Sequence, residues 1–233
     1  MLTSMTTSPV LDTHESVTAV AQPRTAVKYA TEAIGTMVLV FTIGTATAGA
    51  SALAPLAIGG VLMAMIYAGG HISGGHYNPA VTLAALVRGR IGGRDAVGYA
   101  VSQCAGAVAA SVLVALVSPA SAAPLRLSGH AMVAAGIAEV LFTFVLCFVV
   151  LNVATSKDHP DNSFYGLAIG LVVIAGAVTV GGISGGVFNP AVALGGVAMG
   201  TLSPTLLVPY VIVQLAAGAA AGFAFLALNP ADK

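Results

Sequence analysis

Ile72-Ser73-Gly74-Gly75-His76-Tyr77-Asn78-Pro79-Ala80-Val81-Thr82-Leu83 returns later in the chain as Ile183-Ser184-Gly185-Gly186-Val187-Phe188-Asn189-Pro190-Ala191-Val192-Ala193-Leu194. Nine of the twelve positions are identical, and each residue of the second copy stands 111 positions after its counterpart. In an apolar chain, a duplicated Gly-rich break followed by a short apolar run points to a central binding or permeation site between two halves.

The rest of the chain is that apolar chain. Hydrophobic residues make up 58% of it and charged residues 7%, against roughly a quarter charged in soluble domains. So little charge leaves no way to cover a soluble surface. Six runs, 28–49, 53–71, 95–117, 130–153, 163–181 and 204–228, are long enough to span, which takes about 20 residues each. Two shorter runs follow the duplicated motifs, at about 79–88 and 190–200. At 1.5 Å per residue they are too short to cross, and they read as half-helices entered by re-entrant loops.

The duplication extends beyond the motifs. Tyr99 and Gln103 map onto Tyr210 and Gln214, and Thr31-Glu32 and Ala138-Glu139 open the first span of each half alike. Each half therefore holds three spans with a re-entrant loop between its second and third. Three is odd, so the second half enters the bilayer inverted and the two half-helices meet head to head near the midplane. The expected fold is an all-α membrane protein of six transmembrane helices plus two re-entrant half-helices, an inverted 3+3 repeat. Its boundaries are a disordered cytoplasmic tail over 1–27 and a channel domain over 28–228, followed by a C-terminal tail over 229–233. Repeat 1 covers about 28–117 and repeat 2 about 130–228.

Charge sets the orientation. With both termini inside, Arg24, Lys28, Arg88, Arg90, Arg94, Lys157 and Lys233 face the cytoplasm and Arg126 alone lies outside, as the positive-inside rule requires. A multi-pass protein of the cell (inner) membrane is expected. A net charge of zero argues against nucleic acid as a partner. Cys104 and Cys147 fall inside spans and read as packing thiols. No metal-ligand cluster and no nucleophile–base set is present, so neither a metal, a cofactor nor an enzymatic activity is expected.

Each Asn-Pro step suits a half-helix start. Asn is a preferred N-cap, and Pro fits the first helical position because its missing N–H would be unpaired anyway. Pro79-Ala80 and Pro190-Ala191 complete the motifs. A third copy, Asn229-Pro230-Ala231, has no apolar run after it and reads as chance. The backbone of Gly74, Gly75, His76 and Gly185 is expected to line the path. The two helix N-termini aim their positive ends at the pore centre, where the Asn78 and Asn189 amides supply donors to a permeating hydroxyl and the field repels cations.

Glu32 and Glu139 are the carboxylates well inside the spans. Such groups are costly in a bilayer and have partners. They serve either as proton carriers or as acceptors for the loop N–H groups, and their symmetric recurrence favours loop support. His71 and His76 flank the first Gly-Gly; a pH gate is one reading, loop packing the preferred one. Gly166/Gly170 and Gly218/Gly222 have the spacing of close helix crossings.

These residues resemble the major intrinsic protein family, the aquaporins and aquaglyceroporins, over about 28–228. The stretch from Gly70 to Thr82 looks like an ordinary bacterial member. The resemblance implies six tilted helices, a homotetramer and one pore per subunit. It also places a selectivity filter at Ile58, Ala177, Gly186 and Val192. In the family an arginine normally follows the second Asn-Pro-Ala; here Val192 stands there. Ala193 replaces the Asp typical of glycerol facilitators. That filter has no charge and no side-chain donor. The expected function is a passive channel for small uncharged solutes and water: polyols, urea and metalloid acids such as arsenous acid. One alternative is an ordinary water-selective channel whose mouth is narrowed by Arg126 or a loop. The other is a proton-coupled carrier using Glu32 and Glu139.

Overall fold

The computed structural model describes residues 23–118 and 123–232. Most of the expected tail, residues 1–22, lies outside the described residues. Among the described residues the chain forms eight helices. They are α1 (Thr25–Ala48), α2 (Ala54–Ser73), α3 (Pro79–Val87), α4 (Gly93–Val117), α5 (Gly129–Thr155), α6 (Tyr165–Ser184), α7 (Pro190–Ala198) and α8 (Pro204–Leu228). Six of them, 20 to 27 residues long, are apolar and long enough to cross a membrane. The first begins at Thr25, three residues before the hydropathy boundary.

A helix is the form that satisfies every backbone N–H and C=O within one segment, which the bilayer interior demands. Two of the helices end for the same local reason. α2 stops where Gly74 turns left-handed at φ 89°, and α6 stops at Gly185 at φ 86°. Each glycine sends its N–H back to a glycine carbonyl four residues earlier, Gly70 and Gly181. α3 and α7 are nine residues each, half the length of a span.

Packing follows the internal symmetry. α1 lies on α4, α5 on α8, and α2 crosses α6. The half-helices nest chiefly across the repeat boundary, α3 against α8 and α7 against α4. Gly59 and Gly170 set the α2–α6 crossing: a Cβ built at either would fall 2.5 to 2.7 Å from the other's carbonyl oxygen. Gly218 faces the Ala80 carbonyl and Gly222 faces Val87, so the small-residue pairs are contact surfaces of the bundle.

Polarity is inverted relative to a soluble protein. Val101, Leu116, Ile137, Val178, Ile212 and Phe223 face outward and are exposed, whereas Glu32, Gln103, Glu139 and Gln214 are wholly buried. At the face opposite the chain ends, Leu125 and Leu202 pair through their backbones. This ties the α4–α5 connection to the turn after α7.

Candidate functional site: a pore between two half-helices

The site grows from one carboxylate in each half. Glu32 accepts from the Ser73 hydroxyl (2.6 Å), the His76 N–H (3.0 Å), the Tyr77 N–H (2.7 Å) and the Gln103 amide (2.8 Å). Glu139 accepts from the Ser184 hydroxyl (2.7 Å), the Val187 N–H (2.9 Å), the Phe188 N–H (2.7 Å) and the Gln214 amide (2.8 Å). Tyr99 and Tyr210 donate to the carbonyls of Ser73 and Ser184, each at 2.7 Å. The duplicated Tyr and Gln positions, which had no role assigned from sequence, belong to these two networks.

The networks hold a strained backbone. Tyr77 and Phe188, the residues before each Asn, lie at φ 48° and 49°, a conformation that costs a non-glycine residue about 1–3 kcal/mol. Hydrogen bonds to a charged acceptor contribute about 1.5–3 kcal/mol each. The two loop N–H bonds to each carboxylate are therefore enough to offset that strain.

The two strained residues also join the halves. Asn78 caps α3 by accepting the Ala80 N–H at 2.8 Å and donates its amide to the Phe188 carbonyl at 2.9 Å. Asn189 caps α7 through the Ala191 N–H at 2.9 Å and donates to the Tyr77 carbonyl at 2.9 Å. Phe188 thus offers its N–H to its own half's glutamate and its C=O to the other half's asparagine, and Tyr77 does the same. An amide carries two N–H groups. One on each Asn goes to the opposing loop, which leaves one for anything in the pore.

Both half-helix tips border a central cavity of about 40 Å³ lined by Asn78, Asn189, His76, Val81 and aliphatic side chains of α2, α5 and α6. A wider basin of about 750 Å³ opens on the face that carries both described chain ends; Lys28, His71, His76, Arg90, Asp95 and Lys157 are on its wall. His76 borders both spaces, and its Nδ1 lies 3.1 Å from the Thr82 hydroxyl.

Residues 19–181 and 130–231 match the major intrinsic protein family. The chain belongs to this family. It is 42% identical over 174 residues to the glycerol uptake facilitator protein-like 6 of Lactiplantibacillus plantarum, a match covering 70% of this chain and 80% of that protein. It is 37% identical over 172 residues to aquaporin NIP1-4 of Oryza sativa subsp. japonica, covering 73% and 62%. The match thus spans about three fifths of that plant relative's length. In fold it is similar to the aquaglyceroporin from Plasmodium falciparum, with a TM-score of 0.71 at 22% identity, covering 88% of this chain and 96% of that one. The major intrinsic proteins include aquaporins and glycerol facilitators, so the chain is a multi-pass membrane channel and not an enzyme.

Three of the four expected filter positions border the cavity. Ile58, Gly186 and Val192 line it. Ala177 of α6 is half-buried, and its Cα lies 3.4 Å from where a Gly186 side chain would begin. Val187, the counterpart of His76, lines the cavity as well; the duplication itself was the signal that could have found it. Arg126 is exposed and makes no hydrogen bond or ion pair among the described residues. His71 is exposed on the basin wall. Among the described residues no group of three His, Cys, Asp or Glu could hold a metal, and Cys104 and Cys147 are free thiols.

One contact lay beyond sequence reasoning. Asp232, in the segment after α8, sits 2.6 Å from the guanidinium of Arg88 at the end of α3. Burial opposes its ionisation. The Lys157 N–H, the Ser156 side chain and Arg88 outweigh that and hold its carboxyl below the usual carboxylate range.

Proposed function

We propose that this family member is a passive channel for small uncharged solutes wider than water, with water also passing. Glycerol-like polyols, urea and neutral metalloid acids such as arsenous acid are the solute class. The observation that carries the reading is the chemistry at Val192: a buried aliphatic side chain borders the cavity where the family resemblance expects a cation. Ile58, Ala177, Gly186 and Val192 set the width. Without an arginine the constriction offers no fixed charge and no side-chain donor, so it discriminates by size alone. The name of the Lactiplantibacillus relative, a glycerol uptake facilitator protein-like 6, supports the same solute class.

Asn78 and Asn189 orient a hydroxyl at the centre, each with the N–H that the opposing loop does not use. Cations meet the positive ends of α3 and α7, a barrier usually described for channels of this very family. Glu32 and Glu139 hold the loops rather than carry protons, because each is buried and already accepts four hydrogen bonds. A homotetramer in the inner membrane with both chain ends in the cytoplasm completes the proposal, on the family resemblance and on the clustering of Lys28, Arg90 and Lys157 at one face.

A second reading, a water-selective pore, has one observation in its favour: the central cavity of about 40 Å³ suits a short file of waters. Stopped-flow light scattering on proteoliposomes separates the two. Wild type passing glycerol and urea, with Val192→Arg blocking them and sparing water, supports the wide filter. Wild type passing water alone overturns it.

A further inference from the structure

The two half-helices are anchored differently at the ends far from the pore. Arg88 caps α3 with its side chain 2% exposed. Its guanidinium carbon lies over the Phe225 ring of α8, 4.4 Å from the centroid, and its Nη2 donates to Asp232 Oδ1 at 2.6 Å. Asp232 is itself only 6% exposed in its side chain. Its other oxygen accepts the Lys157 N–H at 2.9 Å, and the Arg90 guanidinium stands 3.7 Å from Oδ1. Arg90 in turn donates to the Thr155 carbonyl at 2.7 Å. One carboxylate thus ties together the end of α3, the turn after it, the α5–α6 connection and the segment after α8. The corresponding end of α7 is capped by Met199 and carries no ion pair among the described residues: backbone N–H groups of Thr201 and Leu202 and the Thr201 hydroxyl donate to the Gly196 carbonyl, and the Ser111 hydroxyl of α4 donates to the Gly195 carbonyl.

The face that α3 turns to α8 makes that difference matter. α3 lies on α8 across Gly218 and Gly222, with the Ala80 carbonyl and the Val87 side chain set close against them. A nine-residue helix is a rod about 13 Å long, so the position of Arg88 at one end bears on that of Asn78 at the other, where the amide meets the Phe188 carbonyl at 2.9 Å. Thermodynamically a buried ion pair is a weak stabiliser compared with an apolar pair; its best-attested use is to fix register. We propose that Asp232 is a positioning residue of the pore: through Arg88 it sets the axial register of α3, and with it the height at which the Asn78 amide meets the solute. This rests on the channel reading above.

The test is single-channel permeability, obtained by dividing proteoliposome water and glycerol rates by the counted channels per vesicle, for wild type, Asp232→Asn and Asp232→Glu. Asp232→Asn is expected to change the glycerol-to-water ratio per channel by about threefold or more, within the range that remote substitutions exert on a distant site. Asp232→Glu is expected to restore most of it. If Asp232→Asn lowers thermal stability while both per-channel rates match wild type, Asp232 is a structural brace and the proposal falls. Should Asp232→Asn fail to fold, Phe225→Leu, which removes the ring beneath Arg88, is read by the same rule. Val192→Arg, measured alongside, keeps the two ideas apart. If wild type proves to carry water alone, the solute reading fails, while the per-channel water rate still decides the role of Asp232.

Discussion

From Gly74 to Asn78 and from Gly185 to Asn189 the chain follows one path twice. The φ angles of 89° and 63° at Gly74 and Gly75 are answered by 86° and 64° at Gly185 and Gly186, and 48° at Tyr77 by 49° at Phe188. The side chains along that path part company: His76 against Val187, Thr82 against Ala193, Arg88 against Met199. What is duplicated is the arrangement that holds the loop, one glutamate with its four donors. What varies is what faces the solute and what anchors the far end. The first loop presents an imidazole to the cavity; at the corresponding position the second presents the Val187 side chain.

The largest effect tests the shared part. Glu32→Ala and Glu139→Ala each leave four donors unpaired in the interior, and each is expected to lose about 3–5 kcal/mol of stability, read as unfolding of the detergent-solubilised protein. A harmless substitution at either one would break the symmetry argument at its base. Next is the part that differs. Val192→Arg is expected to cut glycerol permeability at least about tenfold, roughly 1.4 kcal/mol of barrier, while water flux holds. A more moderate change comes from making the loops alike. His76→Val removes the contact with Thr82 and is expected to destabilise by about 1 kcal/mol. Val187→His adds an imidazole whose counterpart partner is Ala193, so no gain in melting temperature should follow; a gain would show that the second loop tolerates polarity. Tyr77→Phe loses the 2.9 Å bond from its hydroxyl to the Met65 carbonyl, again about 1 kcal/mol, and brings the first loop to the Phe188 composition.

The smallest effect is a pH dependence confined to the α3 anchor. The Asp232 carboxyl is held below its usual range, so its stabilising contribution is complete above the unfolded value of about 4 and is lost as pH falls through the folded value. The melting temperature of wild type relative to Asp232→Asn is therefore expected to be constant above about pH 5 and to converge below about pH 4. Equal curves throughout would mean that the ion pair contributes nothing to stability.

The long elements were legible because bilayer physics leaves few choices. Span length and hydropathy placed all six crossing helices, and the Gly-Gly-x-x-Asn-Pro pattern placed both half-helix starts. The ends of α2 and α6 were less so. Hydropathy stops at 71 and 181, whereas the helices run on to Ser73 and Ser184. The glycines that stop the helices, Gly74 and Gly185, come directly after these serines, whose hydroxyls then bind the glutamates.

By itself, then, the sequence determined a six-span chain, its inverted halves and the two capped half-helices, because composition, period and duplication carry those directly. Only the tertiary structure decided that each asparagine amide is shared with the opposing loop, that Val187 joins the cavity wall, and that Asp232 reaches Arg88 across 144 positions. Those are contacts between residues distant in the chain. They depend on how helices cross, and crossing geometry is set by close packing across the whole bundle rather than by any segment of it.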